Sequence, residues 1–220
     1  MKIAIAGAGS VGIAIAEDLG KNGHEVMVFE QEPEVAARLN STTDLRVIAG
    51  DACELATLRA NHLEEVDVMV AATGDDEDNL VISLLAKQEF AVPRVIARVN
   101  NTKNDWLFDE TWGVDVAVST PQLLTSLVEE AFAVGSLVKL MTFDDGNANL
   151  FEVTLADSSP ADGKMIEELD LGREVVIVAV VRNGHVVTPA PNLQLNRGDE
   201  VVILAPAART EAITLSLIGR

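Results

Sequence analysis

Residues 2–31, KIAIAGAGSVGIAIAEDLGKNGHEVMVFEQ, restrict the fold of this chain more than any other stretch. A short apolar run ends at Gly7, the pattern G-x-G-x-x-G covers Gly7 to Gly12, and a helical pattern begins at once. In this context each glycine has a separate task. Gly7 permits the tight turn, Gly9 lets the main chain approach a pyrophosphate, and Gly12 lets the helix lie close to the sheet. The free N–H groups at the helix start, around Ser10 and Val11, are positioned to receive phosphate charge. A second apolar run then ends on Glu30, 18 residues after Gly12. An acid there accepts hydrogen bonds from ribose hydroxyls and repels a 2′-phosphate. No arginine follows before Arg38, so the spacing disfavours NADP.

The same grammar continues. KIAIAG, EVMVFE, LRVIAG, VDVMVAAT, RVIARV and DVAVS read as six buried strands. Between them VGIAIAEDLGKNG, PEVAARLN, LATLRA and DEDNLVISLLAKQEF read as helices, KNDWLFDETWG as a helical turn or two, and TPQLLTSLVEEAFAVG as a long apolar helix. Strands buried on both faces, each followed by a helix, mean a parallel sheet covered on both sides. Right-handed crossovers then give an α/β, doubly wound Rossmann-type domain, expected over residues 1–135. Beyond Gly135 the pattern changes to strands in hairpin arrangement. LVKLMTF and LFEVTLA flank DDGNAN, IEELDL reads as a short helix, and Asn183-Gly184 is a strong two-residue hairpin signal. Residues 136–220 are therefore expected to form a small α+β lobe.

Ligands of open α/β sheets bind at the carboxyl ends of the strands. Three further stretches fall there: GDAC, where Asp51 and the main chain around Ala52 can receive an adenine edge; TGDDEDN, with Thr73, Gly74 and Asp75; and ARVNN, with Arg98. Arg98 is the best-placed cation for a phosphate, with Lys103 in reserve. Asp75, Asp76 and Glu77 read as acids of a helix first turn, with a divalent-cation site as the alternative. His24 and His62 fall in turns at the amino edge and His185 in the second lobe, so none is placed for acid–base work at this site. The chain has no tyrosine and no Walker lysine. An NAD-dependent oxidoreductase of Rossmann type stays open as the alternative to a nucleotide sensor. The single cysteine, Cys53, reads as a small buried hydrophobe.

A formal net charge of −19 excludes nucleic acid as a partner and tolerates a basic one, such as the lysine- and arginine-rich cytoplasmic loops of membrane proteins. No apolar run approaches the roughly 18 residues that span a bilayer. Met1 leads into a strand with no basic n-region, so a cytoplasmic protein is expected.

The stretches IAGAGSVG, VFE, GDAC, AATGDDEDN and IARVNN, followed by LNRGDEVVILAP, resemble the RCK (KTN) regulatory proteins of Trk/Ktr potassium uptake systems over essentially the whole chain. The resemblance implies a cytoplasmic gating subunit, not a catalyst, lying at the inner face of the membrane. It implies NAD(H) or ATP/ADP in the first lobe, and Ser10-Val11, where ATP-preferring members often carry an Arg-aromatic pair, favours NAD(H). Position by position, Gly7, Gly9, Gly12, Glu30, Asp51 and Arg98 would contact nucleotide, with Thr73 and Asp75 lining the pocket. It further implies dimers and larger rings beneath a membrane-spanning potassium-translocating subunit. One RCK unit is present, so pairing calls for a second copy or a homologous RCK chain. The long helix, with Leu123, Leu124, Leu127, Val128, Ala131 and Phe132, would pack on that partner; burial on its own sheet is the alternative. Trp106, Leu107, Phe108 and Trp112 suit an interface and a domain core equally. In some relatives the second lobe binds cyclic di-AMP, and VVRNGHVVTPAPN is either such a lining or a plain hairpin and loop.

Overall fold

Alternation along the first strand organises the first half of the molecule. In β1 (Lys2–Ala6), Ile3 and Ile5 face one hydrophobic layer while Ala4 and Ala6 face the other, and all four are buried. The computed structural model describes the backbone of residues 1–132, 134–143 and 148–219, and side chains at the same positions except 130–132. The chain divides into two compact units, Met1–Pro121 and Gln122–Arg220.

In the first unit, β1 is joined by β2 (Glu25–Glu30), β3 (Arg46–Ala49), β4 (Val68–Ala71), β5 (Arg94–Val99) and β6 (Val116–Ser119). The strand order is β3-β2-β1-β4-β5-β6 and every pairing is parallel. α1 (Ser10–Lys21) and α2 (Pro33–Thr42) cover one face, where Ala16 and Ala36 meet Ile3, Ile5, Val28 and Val47. α3 (Leu55–Ala60) and α4 (Asp76–Gln88) cover the other, where Leu58, Leu80 and Ile82 meet Phe29, Met69 and Val95. Each fully buried Leu, Ile or Phe side chain contributes about 1.5–3 kcal/mol. The order reverses between β1 and β4, so the loops after these two strands diverge and leave a crevice at their carboxyl ends.

After β5 the chain makes two 3-10 turns, Thr102–Leu107 and Glu110–Trp112. Phe108 is buried, and Leu107 and Trp112 pack against the core, whereas Trp106 is 75% exposed. α5 (Thr120–Phe132) follows β6 directly. Its Leu123, Leu124, Leu127 and Val128 are all exposed, three of them by more than half. The side chains of Ala131 and Phe132 lie outside the described residues, as does the stretch 144–147 of the expected DDGNAN turn.

The second unit holds an antiparallel sheet of order β10-β9-β11-β8-β7, made of β7 (Val138–Phe143), β8 (Ala148–Thr154), β9 (Val176–Arg182), β10 (His185–Val187) and β11 (Glu200–Ala205). α6 (Thr210–Leu217) places Ile213 and Leu217 against Phe151, Val153, Val201 and Ile203. Asn183 and Gly184 have φ of +52° and +75°, the two positive values a type I′ hairpin loop requires. The expected short helix over IEELDL is only a 3-10 turn, Ile166–Glu168. Leu169 and Leu171 both turn toward the core, a two-residue spacing that a helix cannot supply.

Candidate nucleotide-binding site

A cavity of about 420 Å³ opens at the carboxyl ends of β1 to β5, within the first unit. It is lined by Gly7, Gly9, Ser10 and Val11 from the first turn, and by Glu30 at the end of β2. Asp51 and Ala52 line it after β3, Thr73, Gly74 and Asp75 after β4, and Arg98 on β5. Of the residues singled out at this edge in the sequence, Gly12, the reserve cation Lys103, Asp76 and Glu77 are not among the lining. Gly12 is buried behind the turn, where an added Cβ would sit 2.0 Å from the Gly7 carbonyl oxygen. Its place is the close approach of helix to turn, with no contact to the cavity.

The turn leaves main-chain donors open to the cavity. Gly7 has φ of +102° and donates its N–H to the Phe29 carbonyl at 3.0 Å, which ties the loop to β2. Gly9 is the N-cap of α1, and no side chain caps that helix end. The first-turn N–H groups therefore lack a partner within the helix. A Cβ built on Gly9 meets nothing within 4 Å, so the space in front of these donors is open.

Glu30 stands beside them. Its Oε2 accepts from Ala8 N at 3.3 Å and its Oε1 from Glu32 N at 2.9 Å. The carboxylate thus fastens the glycine turn, and each oxygen keeps a lone pair for a further donor. Across the cavity, Asp51 Oδ1 accepts from Cys53 N at 2.7 Å, which fixes the loop after β3. Asp75 caps α4 by accepting from Glu77 N and Asp78 N at 3.0 and 3.1 Å. Among the described residues, Arg98 supplies the only positive side chain of the lining. Its Nε is shielded from solvent and has no acceptor. An unpaired buried donor costs about 1–3 kcal/mol, which favours an arrangement that brings it an acceptor.

The acids that follow divide by helix face. Asp75 and Asp78 face the cavity, whereas Asp76 is 5% exposed and turns inward. Asp76 accepts from Asn100 N at 2.7 Å, Asn101 N at 3.0 Å and Asn104 Nδ2 at 2.9 Å. Burial works to raise its pKa, but these donated hydrogen bonds together outweigh burial and hold the carboxyl below the usual aspartate range. Among the described residues no group of three or more His, Cys, Asp and Glu is arranged to hold a metal ion. Cys53 also lines the cavity. Burial, followed by the nearby charges of Asp78 and Asp51, pushes its thiol up to about 12, so it stays protonated and packs as an apolar group. None of His24, His62 and His185 lines the cavity.

Asn79 closes the TGDDEDN stretch, and the sequence reading gave it no role of its own. It is fully buried, and it links Thr73 to the backbone at Arg98. A signal was present: Asp76, Asn79, Ser83 and Ala86 fall at helical spacing, so polar side chains occupy the inward stripe of α4.

The chain is similar to proteins of known kind. The TrkA-N domain model matches residues 3–120 and the TrkA-C domain model residues 150–217. The Trk system potassium uptake protein TrkA of Mycobacterium tuberculosis is 48% identical over 219 residues, 99% of each chain. The TrkA homolog of Methanothermobacter thermautotrophicus is 30% identical over 219 residues, 100% of each chain. Among solved structures, the GsuK channel bound to NAD matches 100% of this chain and 39% of that one, with a TM-score of 0.69 at 19% identity, a likeness of fold. GsuK bound to ADP matches 59% of this chain and 34% of that one, with a TM-score of 0.50 at 26% identity. The ordered pair of domain matches and the full-length identity place this chain in the TrkA family.

Proposed function

We propose that this chain is a nucleotide-sensing regulatory subunit that works at the inner face of the membrane on a potassium-translocating partner. In this reading, bound nucleotide gates transport by changing how copies of the chain assemble. The observation that carries it is the convergence on one cavity of an uncapped helix N-terminus, Glu30 and Arg98. Phosphate groups would lie at the α1 N-terminus and Arg98, and ribose hydroxyls would donate to Glu30. NAD(H) fits better than ATP or ADP. Glu30, Asp51, Asp75 and Asp78 stand against the single guanidinium of Arg98, so each added phosphate charge meets more repulsion than attraction. The GsuK channel, similar in fold, has been solved bound to NAD, and the M. tuberculosis relative carries the name of a potassium uptake protein. Both support the direction proposed here.

Self-association would use the exposed apolar stripe of α5, Leu123, Leu124, Leu127 and Val128. The net charge of −19 suits a partner with basic cytoplasmic loops. Among the described residues no helix is long and apolar enough to cross a membrane, and this reading assigns the pore to that partner. A nucleotide can move an assembly equilibrium only by as much as its affinity differs between the two arrangements.

The test is calorimetric titration of the purified chain with NAD, NADH, ADP and ATP, with oligomer mass measured in each state. The expected result is tightest binding of NAD or NADH and a change of mass or shape between ligands. If no nucleotide binds or raises the melting temperature, the reading fails.

A further inference from the structure

Arg98 is held in place by its backbone. Its Nε has no acceptor, so no hydrogen bond at that atom fixes the guanidinium. The main chain there is paired with β6 on one side, Arg98 opposite Val118, and is tied to α4 by Asn79, a wholly buried side chain that does not line the cavity. Asn79 Nδ2 donates to the Arg98 carbonyl at 2.9 Å. Its Oδ1 accepts from Thr73 N at 2.9 Å and from Thr73 Oγ1 at 2.8 Å. One amide therefore joins the wall after β4 to the end of β5, using its donor on one side and its acceptor on the other. Only an amide offers both at this spacing. Asp76, three residues earlier, fastens the chain just beyond Arg98 through Asn100 N and Asn101 N.

We propose that Asn79 is a positioning residue for phosphate recognition: it sets the distance between Thr73 and Arg98, and so places the cation of the cavity. This rests on the nucleotide reading above and deepens it. A buried amide with every polar atom paired stabilises the fold as well, so stability alone cannot separate the two roles. Ligand discrimination can. Adenosine engages the Glu30 side of the cavity without phosphate, whereas ADP and NAD also need Arg98.

The experiment is calorimetry on the full chain with adenosine, ADP and NAD, comparing wild type, Asn79→Asp, Arg98→Ala and the double variant. Asn79→Asp keeps an acceptor toward Thr73 and loses the donor toward Arg98. Its ADP and NAD affinities should fall by about tenfold or more, as expected when a binding group is misplaced. Its adenosine affinity should change by less than about threefold, the size of a few tenths of a kcal/mol. In the Arg98→Ala background the Asn79 substitution should add no further loss for ADP. Equal losses for adenosine and ADP, additive losses in the double variant, or wild-type ADP and NAD affinity in Asn79→Asp would each overturn the proposal and leave the nucleotide reading intact. Should Asn79→Asp fail to fold, Asn79→Ser breaks the same bond in less volume and is read against the same outcomes. Wild-type protein binding neither ADP nor NAD would overturn both.

Discussion

Replacing Gly9 by aspartate should separate folding from ligand binding, with opposite signs. Gly9 has φ of −69° and ψ of 178°, an extended N-cap conformation open to any residue, and a Cβ there meets nothing within 4 Å. Aspartate is among the preferred N-cap residues, and α1 has no side-chain cap to lose. Relative to glycine the cap is worth a few tenths of a kcal/mol. Fewer conformations of the unfolded chain contribute about 0.4–1 kcal/mol more. The acid also faces the positive end of the helix, worth about 0.3–1 kcal/mol, though Glu30 beside the turn and Asp51 across the cavity offset part of that. The net change is a stabilisation between zero and about 1.5 kcal/mol, or a rise in Tm of up to roughly 5 °C for a chain of this length. Binding moves the other way. A carboxylate about 4 Å from a phosphate opposes it by about 4 kcal/mol at an effective dielectric of 20. That corresponds to roughly a thousandfold loss of affinity. Calorimetry with NAD and ADP, beside thermal melting without ligand, reads both quantities. Near wild-type nucleotide affinity in Gly9→Asp would refute placement of phosphate at the α1 N-terminus. A loss of more than about 2 kcal/mol in stability would refute the claim that the space before Gly9 is free.

Gly12→Ala should behave oppositely to Gly9→Asp: its Cβ would lie 2.0 Å from the Gly7 carbonyl, so helix and turn must part by about 1 Å, and urea denaturation should show a loss of about 1–3 kcal/mol. Asp199 is 1% exposed and accepts from Arg182 Nε and a terminal guanidinium nitrogen at 2.7 Å each, and from Asn196 N at 2.8 Å. Arg182 keeps contact with solvent, so Asp199→Ala should cost about 1.5–3 kcal/mol in the unfolding of the second unit, and an unchanged urea midpoint would refute the pairing as a strut. The Asp76 carboxyl is held below the usual aspartate range, so its contribution is complete above the unfolded value near ~3.9 and is lost as pH falls through its lower folded value. Wild type should exceed Asp76→Asn by about 2 kcal/mol at pH 7, and that gap should narrow below pH ~4; a gap independent of pH would argue against the ionised, fourfold hydrogen-bonded carboxylate.

The parts of this molecule that were legible in its sequence share one property: they depend on where along a strand or turn a residue falls. Gly7, Glu30, Asp51, Thr73 and Arg98 each lie at the carboxyl end of a different strand, and parallel pairing alone brings such ends to one edge. The Asn183-Gly184 turn was legible for a similar reason, because a two-residue loop between strands demands two positive φ values. What stayed hidden depends on how an element is rotated about its own axis or on what lies opposite it. Asp75, Asp76, Asp78 and Asn79 are near neighbours in an acidic helix start, yet two face the cavity and two reach inward to the end of β5. Their roles follow from the rotation of α4, which Leu80, Ile82 and Ala86 settle by burying themselves in the core. Gly12 divides in the same way: its motif position correctly marks the close approach of helix to turn and sheet, whereas the nucleotide contact implied by the resemblance is not visible, because its side faces the Gly7 carbonyl and not the cavity. IEELDL has a helical composition, but Leu169 and Leu171 take the two-residue spacing that the core beneath them requires. Rotation is set by burial summed over a whole element, and a single polar residue carries little of that sum. The groups that tune a site from behind are thus the hardest to read from sequence, and a buried polar residue at a core position of a helix beside a strand end is the pattern that reveals them.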